Sequence, residues 1–142
     1  MSYDLAVFDP SIAPAERAGF LDWFRVETDW ARELDYNNPD NLGPVVLAFF
    51  MEHIEQFPPM NGPLKVDSHS TKVSDYSCAP GLLYIASVYS EAQAVFEETR
   101  RLAAKHECGF FDVTSIRSTI WIPDGNLGLR KHPETRPWWK IW

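Results

Sequence analysis

Two short segments, Tyr3–Phe8 (YDLAVF) and Leu82–Tyr89 (LLYIASVY), constrain this chain more than any other feature. Successive side chains of a strand point to opposite sides of its sheet. In the first segment Leu5 and Val7 fall on one side, Ala6 and Phe8 on the other. The second segment is likewise apolar on both sides. Strands of this kind belong in the middle of a sheet, not at its rim. Asp9-Pro10 ends the first, and the turn Ala79-Pro80-Gly81 leads directly into the second.

Caps, turns and periodicity place the remaining elements around this pair. Pro14 suits a first helical turn, Glu16 complements its positive end, and Phe20, Leu21, Phe24 and Ala31 recur at helical spacing. This predicts a helix over residues 14–32. The run DYNNPDN (35–41) is a loop, with Asn41 as the cap of a second helix. That helix carries the stripe Val46, Leu47, Phe50, Ile54, Phe57 and must stop before Pro58-Pro59. Val73–Cys78 reads as a strand. Ser90-Glu91-Ala92-Gln93 has the form of a capping box and opens a third helix that runs to His106, with Gly109 as terminator. Phe110–Thr114 and Thr119–Ile122 read as two further strands.

Without the second helix and the last strand this order is βαββαβ, the ferredoxin-like arrangement, in which the first and third strands are central in an antiparallel sheet. The expected fold is therefore α+β: a ferredoxin-like sheet with an extra helix after the first helix and an added C-terminal strand. Residues 1–123 form one domain, and residues 124–142 form an aromatic and basic tail packed on it.

Charge and composition narrow the function. A net charge of −7 repels phosphate backbones and anionic membranes, and steers basic protein partners toward the chain. MSYDLAVFDP has no basic region followed by an apolar core, so no signal peptide is expected. No apolar run approaches the roughly 18 residues of a membrane span. Two cysteines, Cys78 and Cys108, are too few for a disulfide framework or a zinc knuckle. A cytoplasmic protein with free thiols follows.

Catalytic signatures are sparse. There is no G-x-S-x-G elbow, no H-E-x-x-H pair and no Gly-rich turn between strand and helix. Asp67-x-His69 and the group Glu52, His53, Gln56 match no metal spacing, and Asp124-Gly125-Asn126 lacks the ligands of a calcium loop. No catalytic residue, cofactor or metal is assigned. Two surfaces stand out instead. The stretch Phe57–Pro63 (FPPMNGP) packs three prolines, a glycine and an asparagine around one Phe and one Met. Proline stiffens such a corner by limiting the unfolded chain, and a stiff corner is a preformed docking surface with little ordering cost. The tail alternates Trp138, Trp139 and Trp142 with Arg136 and Lys140. Candidate binding residues are Pro59, Met60, Asn61, Trp138, Trp139 and Trp142. An alternative site lies on the helix-free sheet face, where Asp4, Phe8 and Asp112 would come together and two carboxylates on neighbouring strands could form an acid–base pair.

The phrases SYDLAVFDP, FPPMNGP, SDYS, HECGFFDVTS and IWIP together resemble an uncharacterised family of small acidic bacterial proteins, over residues 2–123. That resemblance implies no catalytic residues. In size and charge such proteins are similar to the immunity proteins that block bacterial toxins, by analogy alone. The expectation is a non-enzymatic protein-binding domain of toxin-neutralising type. The competing expectation is a small-molecule-binding or small enzymatic domain that uses the open sheet face, with homodimerisation compatible with either.

Overall fold

A computed structural model describes residues 2–126 and 128–131. Among the described residues the fold is α+β, with three α-helices and one six-stranded antiparallel sheet. The strands are β1 (Ser2–Phe8), β2 (Asp75–Ala79), β3 (Leu82–Val88), β4 (Gly109–Phe111), β5 (Ile120–Pro123) and β6 (Leu129–Lys131). The helices are α1 (Arg17–Glu27), α2 (Gly43–Gln56) and α3 (Ala92–His106). The strand order is β2-β3-β1-β4-β5-β6.

The two doubly apolar segments are β1 and β3, and they are neighbours inside the sheet. They pair along their whole length, with Leu5 opposite Ile85 and Phe8 opposite Leu82. β4 flanks β1 on its other side, with Ala6 opposite Phe111. The apolar residues of both faces are buried in two separate clusters. On one face Tyr3, Leu5, Val7, Tyr76, Leu83, Ile85 and Phe110 pack against Val46, Phe49 and Phe50 of α2 and Val95 and Leu102 of α3. On the other face Ala6, Phe8, Leu82, Phe111 and Ile120 pack against Phe20 of α1, with Trp23 and Phe24 beside it.

This corrects the expectation of a helix-free face. The crossover from β1 to β2 holds two helices, and they lie on opposite sides of the sheet. α1 lays an aromatic patch over the face that carries Phe8: the Phe8 and Phe20 rings are 4.7 Å apart, and Phe20 meets Phe111 edge to face at 5.3 Å. An uncovered Phe8 and Leu82 would leave apolar surface in water, which burial under α1 removes.

Local chemistry sets the element ends, and several differ from those expected. α1 runs over Arg17–Glu27, not over residues 14–32; at its end the Thr28 hydroxyl joins the Thr28 N–H on the Phe24 carbonyl. Asn41 does not cap α2. Asn38 caps a short 3₁₀ turn, Pro39–Leu42, by accepting from the Asp40 N–H, and α2 follows it. The capping box at Ser90 does not form: α3 starts after a 3₁₀ turn, Tyr89–Glu91, and Gln93 reaches forward to Glu97 instead. Glu107, in the left-handed region at φ 56°, ends α3. Gly109 instead makes room for a neighbour, since a β-carbon there would collide with the Phe8 ring. The strand expected at Phe110–Thr114 is only three residues long, Gly109–Phe111. The chain after residue 123 is not all tail. Asp124 accepts from the N–H groups of Asn126 and Gly128, and this turn returns the chain as β6 on the edge of β5.

Candidate protein-docking corner

The FPPMNGP stretch is a framed corner on the outer edge of β2. Phe57 is buried under α2 and stacks on His53. Pro58 and Pro59 cannot continue the helix, so the chain turns along the strand edge. The Ser74 N–H donates to the Pro58 carbonyl, and the Met60 N–H donates to the Ser74 carbonyl, both at 2.9 Å. Asn61 then treats Tyr76 as a strand partner. Its Oδ1 accepts the Tyr76 N–H at 3.0 Å, and its Nδ2 donates to the Tyr76 carbonyl at 2.6 Å. The Val66 N–H closes the corner onto the Pro59 carbonyl at 3.0 Å. Gly62 sits at φ 81°, where a β-carbon would lie 2.8 Å from the Asn37 carbonyl oxygen, so only glycine fits the turn.

The neighbouring loop completes the edge. The Cys78 N–H donates to the Tyr36 carbonyl at 2.7 Å, and Asn41 Nδ2 donates to the Cys78 carbonyl at 3.0 Å. The outward amides and carbonyls of Ser74, Tyr76 and Cys78 are thus all paired. An edge strand left open would be a template for another chain.

A buried polar chain fixes the corner from beneath. The Tyr76 hydroxyl donates to the Phe57 carbonyl at 2.6 Å. It therefore accepts from His53 Nδ1, 2.7 Å away, and His53 Nε2 is left to accept from the Thr99 hydroxyl at 2.9 Å. One neutral tautomer satisfies every member. Burial agrees, because it pushes the His53 imidazolium down to about 3.

The corner shows both apolar and basic groups to solvent, with Lys65 exposed between Leu64 and Val66. Met60, Leu64 and Val66 are 50%, 41% and 41% exposed on this hydrogen-bonded frame. Exposed carboxylates in the adjoining segments are Asp35 and Asp40 in the loop before α2, Glu55 near the end of α2, and Asp67 and Asp75. Apolar side chains on a rigid frame, with an excess of carboxylates in the adjoining segments, can seat a protein surface of opposite charge.

The candidate residues separate accordingly. Met60 is exposed. Pro59 is buried and Asn61 is committed to Tyr76, so both hold the corner's shape. Trp138, Trp139 and Trp142 lie outside the described residues. Asp4, Phe8 and Asp112 do not converge. Phe8 is buried under α1. Asp4 accepts from Tyr84 at 2.6 Å, and the Tyr84 ring packs on Phe24 of α1. Asp112 accepts from Tyr3 at 3.0 Å, whose ring belongs to the opposite cluster. Burial raises the Asp112 carboxyl, yet Asp4 and Asp112 serve different tyrosines and face different layers. Leu64 and Val66 were missed as surface residues, because this loop reads as polar after Leu64. Their signal was two large aliphatic residues right after a Gly-Pro pair, where no helix or strand could bury them.

Cys78 and Cys108 are free and buried, with burial pushing both thiols up to about 12. Among the described residues no group of three His, Cys, Asp or Glu could hold a metal ion, and no helix is long and apolar enough to cross a membrane. Comparison with known proteins finds no family model, no curated protein and no solved structure that matches.

Proposed function

We propose that this chain is a non-enzymatic, cytoplasmic protein-binding domain whose docking surface is the corner bearing Met60, Leu64 and Val66. The partner presents an apolar recess within a basic surface, and a toxin held inactive by the complex is the form of that partner which the acidity suggests. One observation carries the reading: three large apolar side chains are held outward on a frame tied to β2 by both backbone and side-chain hydrogen bonds. Such a frame lowers the ordering cost of association. The chain's net charge of −7 would speed encounter with a basic partner and make it salt-dependent.

The fold beneath is read as a ferredoxin-like core with additions. The antiparallel order β2-β3-β1-β4 and the placement of α2 and α3 on one face support that reading. α1, β5 and β6 are departures from it.

The test compares the natural chain with a Met60→Asp, Leu64→Asp, Val66→Asp variant. Proteins from the source cell are captured on each and quantified, and the retained protein is then purified and titrated at low and high salt. The expected result is one partner retained by the natural chain and bound at least about 10-fold more weakly by the variant, consistent with loss of a central apolar anchor. Capture of the same proteins by both chains, or of the chain itself only, would overturn the proposal.

A further inference from the structure

We propose that the buried carboxylate of Glu27, at the end of α1, is a seat for a lysine ammonium of a protein that binds this chain. Glu27 is only 7% exposed. Its Oε1 accepts from Arg32 Nη2 at 2.8 Å, while its Oε2 is fully buried and has no hydrogen-bond partner among the described residues. Buried polar atoms are almost always paired, and a bare carboxylate oxygen is among the costlier exceptions. The site is separate from the corner and stands on different observations.

Three features give the missing partner a positive charge. The first is the unmet oxygen itself. A carboxylate only accepts, and the N–H of a cation is the strongest donor it can meet. The second is position. Glu27 is the last residue of α1, and the carbonyl end of a helix carries partial negative charge that favours cations. The third is the local balance. Residues 27–35 hold four acids, Glu27, Asp29, Glu33 and Asp35, against Arg32 alone. The Arg32 side chain is half exposed, so it can swing into water and open the carboxylate to a second cation.

The surroundings suit a lysine. Trp30 lies in the left-handed region at φ 55°, which a bulky residue rarely adopts and keeps only where its neighbours enforce it. Here the enforcement is aromatic: the Trp30 ring meets Tyr36 edge to face at 5.0 Å and Tyr84 at 5.8 Å. Arg32 ties this ring group to the carboxylate, because its backbone N–H donates to the Tyr36 hydroxyl at 2.9 Å. Trp30 and Val26 remain exposed. They offer apolar cover for a methylene stem, and an indole face attracts an ammonium. Lysine carries a compact charge on a thin stem, the shape needed to reach a recessed oxygen, whereas a guanidinium is broad and flat.

The test titrates the full chain with N-acetyl-lysine methylamide, and with the uncharged N-acetyl-norleucine methylamide, at constant ionic strength. The readout is the Trp30 indole N–H resonance, assigned from the spectrum of Trp30→Phe. The expected result is a saturable shift with the lysine probe and none with the norleucine probe. Glu27→Gln keeps the side chain's size and loses its charge, and is expected to bind the lysine probe at least about 10-fold more weakly. Arg32→Gln removes the competing cation and is expected to bind it at least about 3-fold more tightly. Because Arg32→Gln leaves Glu27 in place, it decides the question even if Glu27→Gln does not fold. An equal response to the two probes, unchanged affinity in Glu27→Gln, or affinity in Arg32→Gln no higher than in the natural chain would each overturn the proposal. None of these outcomes depends on Met60, Leu64 or Val66, so the corner stands or falls separately.

Discussion

The side chain of Asn61 pairs with the backbone of Tyr76 as a neighbouring strand would, accepting its N–H at 3.0 Å and donating to its carbonyl at 2.6 Å. One asparagine, fifteen residues away in sequence, thus stands in for a peptide unit at the rim of the sheet. Tyr76 is held at three points, because its hydroxyl also grips the Phe57 carbonyl where the corner begins.

Replacing Asn61 with Ala leaves the Tyr76 amide and carbonyl unpaired at a half-buried edge. Loss of partners there costs about 1–3 kcal/mol. Thermal unfolding is expected to fall by about 4 °C for each kcal/mol lost in a domain of this size. Asn61→Asp retains the acceptor but sets a carboxylate oxygen against the Tyr76 carbonyl, and is expected to be at least as damaging at neutral pH. An Asp variant as stable as the natural chain would show that the fork is dispensable.

His53 makes stability depend on pH in a defined window. Its folded acidity constant lies near 3, below the ordinary histidine value of 6.5, because burial penalises the charged ring. Below 6.5 the unfolded chain takes up a proton that the folded chain refuses. The stabilisation is thus complete above pH 6.5 and is lost as pH falls toward 3, with a slope approaching about 1.4 kcal/mol per pH unit. Urea unfolding at pH 7.5, 6.0 and 5.0 measures it. His53→Leu is expected to lower stability throughout, since Tyr76 and Thr99 lose a shared partner, and to flatten the dependence between pH 5 and 6.5.

Gly109→Ala drives a methyl group into the Phe8 ring. Phe8 is locked by Phe20 and Trp23 from α1 and has no room to retreat. Overpacking of this kind costs about 1–3 kcal/mol or more. Phe8→Leu alone also destabilises, by leaving space under α1. The two changes together are expected to cost less than the sum of each alone, as a double-mutant cycle of chemical unfolding would show. Strict additivity would mean that the two residues do not press on each other.

The sheet's centre was legible because period two is a local signal: Leu5 and Val7 against Ala6 and Phe8 state that both sides are apolar. The same signal required cover on both faces, yet the stripe Phe20, Leu21, Phe24 says only that a helix buries one side, not which face of a sheet receives it. Handedness and crossover length decide that, and no residue pattern within α1 records them. The corner's stiffness was visible in its prolines. Its anchoring was not, since a side-chain fork from Asn61 to Tyr76 has no periodicity and depends on the chain's path between them. β6 escaped notice for a simpler reason: Leu129-Arg130-Lys131 is short and charged, and an edge strand needs only one partner.

Because the outward groups of Ser74, Tyr76 and Cys78 are all engaged, the β2 rim offers nothing for a second molecule to zip onto. That protection is assembled, not inherited from the strand itself. Without residues 35–41 and 58–61, that row of peptide groups would lie bare beside β3, the chain's most apolar strand. The two loops thus do for this edge what charge or a bulge does elsewhere: they deny it to another chain.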